Sequence, residues 1–112
     1  RQMCIRDRSS FSCLGEPKFL ERLEVLNADE IILAGIESHV CVYQTSHDLM
    51  EKSKHVEVVV DSISSRNINN HNTAIARMKM EGVSLTSVEM LLFFLQKSAT
   101  GDTFRKLVKL VK

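Results

Sequence analysis

Ile31-Ile32-Leu33-Ala34-Gly35-Ile36, followed directly by Glu37-Ser38-His39-Val40-Cys41-Val42-Tyr43-Gln44-Thr45, is the stretch on which the fold turns. An unbroken apolar run of this length reads as a strand covered on both faces, as in a parallel sheet. From Val40 to Lys52 the pattern becomes helical and carries Val42, Tyr43, Leu49 and Met50 toward the sheet. His55 to Val60 is a second strand, ending in Asp61. Strand, helix and strand in this order make a parallel pair joined by a right-handed crossover.

The same alternation continues on either side. Glu16-Pro17-Lys18 opens a helix over residues 16–26, with Pro17 suited to a first turn and Phe19, Leu20, Leu23 and Leu26 at helical spacing. Residues 62–70 form a polar loop rich in Ser and Asn. Asn70 or His71 starts a helix through Ala74, Ile75 and Met78, and Gly82 stops it. Residues 83–86 are a short third strand, and Ser87 caps an apolar helix that includes Met90 to Leu95. A last amphipathic segment places Phe104, Leu107, Val108 and Val111 on one face, with Arg105, Lys106, Lys109 and Lys112 on a solvated one.

Helices alternating with short apolar strands define an α/β class: a partial three-layer α/β/α, Rossmann-like parallel sheet of about three strands. A sheet this narrow leaves residues 31–36 short of a neighbour, and so greasy an edge is an aggregation liability. The expectation is that further strands lie upstream in the intact protein and that this chain alone folds marginally.

Composition excludes several classes of function. At 112 residues and 44% hydrophobic, the chain suits one domain. A net charge of +1 gives no reason to expect nucleic acid or an anionic membrane as partner, and no apolar stretch approaches the roughly 20 residues of a bilayer span. Three cysteines, Cys4, Cys13 and Cys41, form no paired spacing, which points to a reducing compartment, the cytoplasm before the mitochondrion. Residues 1–8, Arg-Gln-Met-Cys-Ile-Arg-Asp-Arg, fit neither a signal peptide nor an amphipathic helix and resemble translated adapter DNA, so no functional reading rests on them.

Cys41 stands at a helix start, just past the C-terminal end of a buried strand, where open α/β sheets bind ligands. The helix dipole there favours a thiolate, and the backbone N–H groups of Val40 and Cys41 are placed to hold an oxyanion. The competing reading is a small buried hydrophobe, the commoner role of a free cysteine. His39 is two residues from Cys41 and does not normally face it across a helix start. His47, His55 and His71 read as solvated or capping residues, and the four histidines show no metal-site spacing. Cys13 reads as a packing residue, and Asp61 as a turn acceptor for Ser64, Ser65 or Arg66.

Gly35-Ile36-Glu37-Ser38-His39-Val40-Cys41-Val42-Tyr43-Gln44-Thr45 resembles the signature of the isochorismatase-like cysteine hydrolases, in particular their small isochorismatase-domain-containing members. Ser10-Phe11-Ser12, the stretch Val59 to Asn67, Ala76-Arg77-Met78, Thr86-Ser87-Val88-Glu89 and Phe104-Arg105-Lys106-Leu107 match further family segments in order, so the resemblance covers residues 9–112. It implies a six-stranded parallel sheet, an Asp-Lys-Cys triad with Cys41 as nucleophile, and a non-proline cis peptide between Ile36 and Glu37 that aims the oxyanion-hole amides. Two departures stand out. The family Asp follows a strand with no counterpart in these residues, and Arg8 occupies the Lys position, where it matches the charge but not the shape or proton chemistry.

The expected activity is therefore hydrolysis of a small amide or related carbonyl compound, with this chain a truncated, inactive fragment of a larger enzyme. The alternative is a non-catalytic module of the same fold that oligomerises or binds a small molecule, using the apolar helix around Leu91 to Leu95. A metal-assisted nicotinamidase-like amidase is disfavoured, because the Asp and His ligands of those relatives have no match. No cofactor and no metal are expected. The partners are a small-molecule substrate and, in the intact protein, further copies of itself.

Overall fold

A computed structural model describes residues 9–111. Arg8, at the family Lys position, and Cys4 lie outside the described residues. The first element among the described residues is a 3₁₀ turn, Cys13–Gly15, capped by Ser12, whose hydroxyl accepts from the Leu14 N–H. Helix α1, Pro17–Leu26, starts where the Glu16 carboxylate accepts the Lys18 N–H, and it ends at Asn27 in a left-handed conformation.

Strand β1, Glu30–Ile36, leads through a wide π-helical turn, Ser38–Val42, into α2, Tyr43–Glu51. Strand β2, His55–Ser64, follows, then α3, Ile68–Met80, and the short β3, Ser84–Thr86. Helices α4, Val88–Gln96, and α5, Asp102–Val111, close the chain. The strands form one parallel sheet in the order β1-β2-β3, which is the three-stranded α/β arrangement expected.

Two boundaries differ from the sequence reading. Strand β2 runs four residues past Val60, because its end pairs again with β1 after an irregularity. Leu33 pairs with Val58, but Gly35 pairs with Ile63, so two residues of advance in β1 match five in β2. The surplus residues bulge out of the ladder and re-aim Asp61. Its carboxylate accepts the Val88 N–H at 3.0 Å instead of serving Ser64, Ser65 or Arg66, and it caps α4 alongside Ser87. Helix α3 also starts earlier than expected, at Ile68, because the Asn67 side chain accepts from the Asn69 and Asn70 N–H groups.

The core lies between the sheet and helices α1, α2 and α3. Leu23, Val42, Leu49, Val56, Val58, Ala74 and Met78 are buried there as one cluster. Helix α4 covers part of the opposite face, beside Glu57 and Thr86, and α5 packs on α4 through an edge-to-face contact of Phe93 and Phe104. Among the described residues, no helix is long and apolar enough to cross a membrane.

Strand β1 departs most from the sequence reading. Only Ile31 and Leu33 pack against the core; Ile32 is 50% exposed and Ile36 71% exposed. The run stands at the sheet edge, short of a neighbour as expected, but its outer face, which reads as covered, is open. This produces an energetic contrast. Leu49→Ala, at a fully buried site, should lower the unfolding free energy by about 2–5 kcal/mol. Ile32→Ala should change it by under about 1 kcal/mol. Denaturant titration at low protein concentration measures both. An Ile32 cost equal to that of Leu49 would mean the outer face of β1 is covered in solution.

Candidate active site

At the end of β1 the chain must turn sharply from sheet to helix. Gly35 does so with φ at +119°, a conformation side-chain-bearing residues rarely adopt, and the Ile36–Glu37 peptide that follows is cis. The π-helical turn begins one residue later, so Cys41 sits in the first turns of a continuous helical segment running to Glu51. The side chain of Cys41 is half-buried. It lines a cleft of about 150 Å³ whose walls include Leu33 and Ile36 of β1, Thr45 of α2 and Cys13 of the 3₁₀ turn.

The carbonyl of Glu37 accepts two amides of the turn, from Val40 at 3.1 Å and from Val42 at 3.2 Å. The Val40 N–H, one of the two amides assigned to an oxyanion hole, is thus already bonded within the turn. The side chain of Glu37 is fixed from the other direction. Its Oε2 accepts both the backbone N–H and the Nε–H of Arg66, each at 2.9 Å. The Arg66 amide first, and its guanidinium second, hold the Glu37 carboxyl below the usual carboxylate range. The residue that leads into the turn is therefore tied to the loop after β2.

Two serine–histidine couples hold the turn against that loop and α3. Ser38, fully buried, lies 2.8 Å from Nδ1 of His71, and His39 Nδ1 lies 2.8 Å from Ser65 Oγ. His71 is thus the partner of a buried hydroxyl and not simply a solvated residue. His39 is turned to the α3 side, where it lines a second cleft with Tyr43 and Arg77, away from the one that holds Cys41.

Farther along α2 lies a cluster that the sequence reading missed. Tyr43 donates to Glu81 Oε2 at 2.6 Å, and His47 Nδ1 lies 3.1 Å from Glu81 Oε1. Arg77 reaches the same carboxylate at 3.3 Å, with its guanidinium 5.9 Å from the Tyr43 ring centre. Nε2 of His47 lies 3.5 Å from Glu51. The Tyr43 hydroxyl, then His47 and Arg77, hold the Glu81 carboxyl below its usual range, whereas Glu81 raises both Tyr43 and His47. Ligand atoms of His47, Asp48 and Glu51 also lie within 4.8 Å of one another, a cation-ligand geometry on an exposed surface two turns from Cys41.

Of the residues singled out in the sequence, the fold brings Cys41 to a cleft and unexpectedly sets Cys13 beside it. The Cys13 N–H donates to the buried Thr45 Oγ1 at 3.0 Å. No local spacing reveals this contact, which joins residues 32 positions apart.

The sequence model of the isochorismatase domain matches residues 1–90, an interval that begins within the N-terminal octapeptide. A secreted isochorismatase effector, Isc1, of Phytophthora sojae is 42% identical over 82 residues, 73% of this chain and 39% of the relative. Mouse isochorismatase domain-containing protein 2B is 34% identical over 106 residues, 94% of this chain and 50% of the relative. Among solved structures, the MAR1 ribonuclease of Caenorhabditis elegans superposes with a TM-score of 0.80 at 35% identity, over 93% of this chain and 53% of that one. The chain spans about half the length of these relatives or less.

The Glu81 cluster should make the attachment of α2 to the end of α3 pH-dependent. A His47 raised above its usual 6.5 contributes stability that is full below that value and is lost as pH climbs through the folded-state one. A Glu81 lowered from 4.5 contributes stability that is present above 4.5 and is lost as pH falls through its depressed value. The pair is strongest between those two reference values. Urea unfolding of wild type and His47→Gln should therefore differ more at about pH 5.5 than at about pH 8.5. An equal difference at both would show that protonated His47 plays no part.

Proposed function

The chain belongs to the isochorismatase domain family, and from that premise we propose that Cys41 is the nucleophile of a cysteine hydrolase acting on a small amide or related carbonyl compound. The observation that carries this reading is the position of Cys41: early in a helix, beyond the C-terminal end of β1, facing an open cleft. The Cys41 sulfur attacks the carbonyl carbon, the C=O π-bond opens to an oxyanion, and the leaving amine departs as the acyl-thioester forms. The amide of Cys41 would hold the oxyanion with that of Val40, whose present acceptor, the Glu37 carbonyl, would have to share it. The largely apolar cleft walls of Leu33, Ala34, Gly35 and Ile36 suit a small neutral substrate.

The protonation of the leaving group is assigned to no residue of this chain, since the family Asp has no counterpart in it. The chain alone is therefore expected to be catalytically silent. We place it in a reducing intracellular compartment, a reading supported by the free thiols Cys13 and Cys41.

A second reading, a self-associating module, is favoured by α4: no residue of it is buried, and Met90, Phe94 and Leu95 are all more than half exposed. Phe93, by contrast, is engaged with Phe104. One labelling experiment separates the two. Under reducing conditions near neutral pH, iodoacetamide should modify Cys41 at least about tenfold faster than the similarly exposed Cys13. A Cys41→Ala control identifies the labelled peptide. If Cys41 labels no faster than Cys13, the nucleophile reading fails. Loss of an oligomer on Phe94→Glu, seen by size exclusion, would then favour the module.

A further inference from the structure

We propose that Cys13 and Cys41 are a redox pair: under peroxide they close into a disulfide across the cleft, withdrawing and protecting the Cys41 sulfur. Both are free, both are half-exposed, and both line the one cleft. Their proximity follows from how Cys13 is anchored. Its neighbours Ser12 and Leu14 are buried, Leu14 within the main core cluster, so the turn cannot drift. Its own amide is bonded at 3.0 Å to Thr45. Thr45 stands four residues after Cys41 on the same helical segment, and both line the same cleft. A turn bonded to Thr45 therefore lies on the same side of this segment as Cys41, and both thiols border one cleft; closing the bond requires their Cα atoms to come within about 4–7 Å.

The chemistry balances with peroxide as the oxidant. The Cys41 thiolate attacks one peroxide oxygen, the O–O bond breaks, and the departing hydroxide takes a proton to become water. The resulting sulfenic acid is attacked at sulfur by Cys13; the S–O bond breaks, the S–S bond forms, and a second water leaves. Two thiols have lost two electrons and one peroxide has gained them. A small thiol reductant reverses the step. Without Cys13 the sulfenic acid has no resolving partner in the cleft; a second peroxide oxidises it to sulfinic acid, itself reduced to water, and thiols do not restore that product. The pairing requires that peroxide and Cys13 reach Cys41 but requires no hydrolytic step. A Cys41 that labels fast with iodoacetamide yet never pairs would defeat this proposal and leave the hydrolase reading standing.

The test treats the full chain with a several-fold excess of hydrogen peroxide, enough for two successive oxidations of one sulfur, digests it without reductant and maps linked peptides by mass spectrometry. The expected result is an intramolecular Cys13–Cys41 link, complete loss of iodoacetamide labelling at both residues, and full recovery with dithiothreitol. In Cys13→Ser, checked for folding by circular dichroism, Cys41 should instead accumulate as sulfinic acid that dithiothreitol does not recover. The proposal is overturned if Cys41 over-oxidises equally with Cys13 present, or if its links run to Cys4 or to a second chain. Because the linked peptide is read in the unsubstituted chain, a variant that fails to fold does not shield the proposal.

Discussion

The parallel pairing of β1 with β2, and the break in its register, is the constraint on which the rest depends. Up to Leu33 and Val58 the ladder is regular, and it resumes at Gly35 and Ile63 only after β2 has thrown out a bulge. That irregularity has a consequence on each strand. On β2 it turns the Asp61 carboxylate toward the Val88 amide, which fixes where α4 begins. On β1 it brings Gly35 and Ile36 alongside the end of β2, so that Glu37 meets Arg66 just beyond the sheet. The turn carrying Cys41 is thus positioned by backbone pairing on one side and by an ion pair reinforced with a backbone amide on the other.

Helical periodicity then divides the labour of the segment from Ser38 to Glu51. His39, Tyr43 and His47 recur every four residues, and each is engaged on the α3 side, by Ser65 or by Glu81. Leu49, Ser46 and Val42 are buried. Cys41 and Thr45 occupy the remaining direction, toward the cleft and the Cys13 turn. A helix held firmly on two sides can leave a thiol open on the third without losing its place. The Glu81 carboxylate does much of that holding: one acceptor group takes Tyr43, His47 and Arg77 from two helices. Its exposed members are screened by water, so the strength lies in shared geometry more than in charge.

Much of the fold was legible from local pattern. The apolar run 31–36, the caps at Glu16 and Ser87, and Gly82 after α3 each declare their element through short-range physics. What could not be read shares one cause. The bulge in β2, the Asp61–Val88 bond and the Cys13–Thr45 bond all join residues far apart in sequence, where neither spacing nor propensity carries a signal. The same is true of Ser38 and His71, a hydroxyl and a ring that look like loop and cap residues until the sheet brings them together. The position of Cys41 was readable because a strand, a glycine and a helix start are local; its surroundings were not.

The open face of β1 and the wall of the cleft meet at Ile36. Leu33 and Ile36 border Cys41 and also belong to the strand whose outer side is solvent-exposed. Anything that packs against that strand removes apolar area from water, at about 25 cal/mol per Å², and by the same contact encloses the thiol. Enclosure raises the strength of every electrostatic interaction in the cleft by excluding solvent. Covering Ile36 would therefore change the cleft as well as the strand.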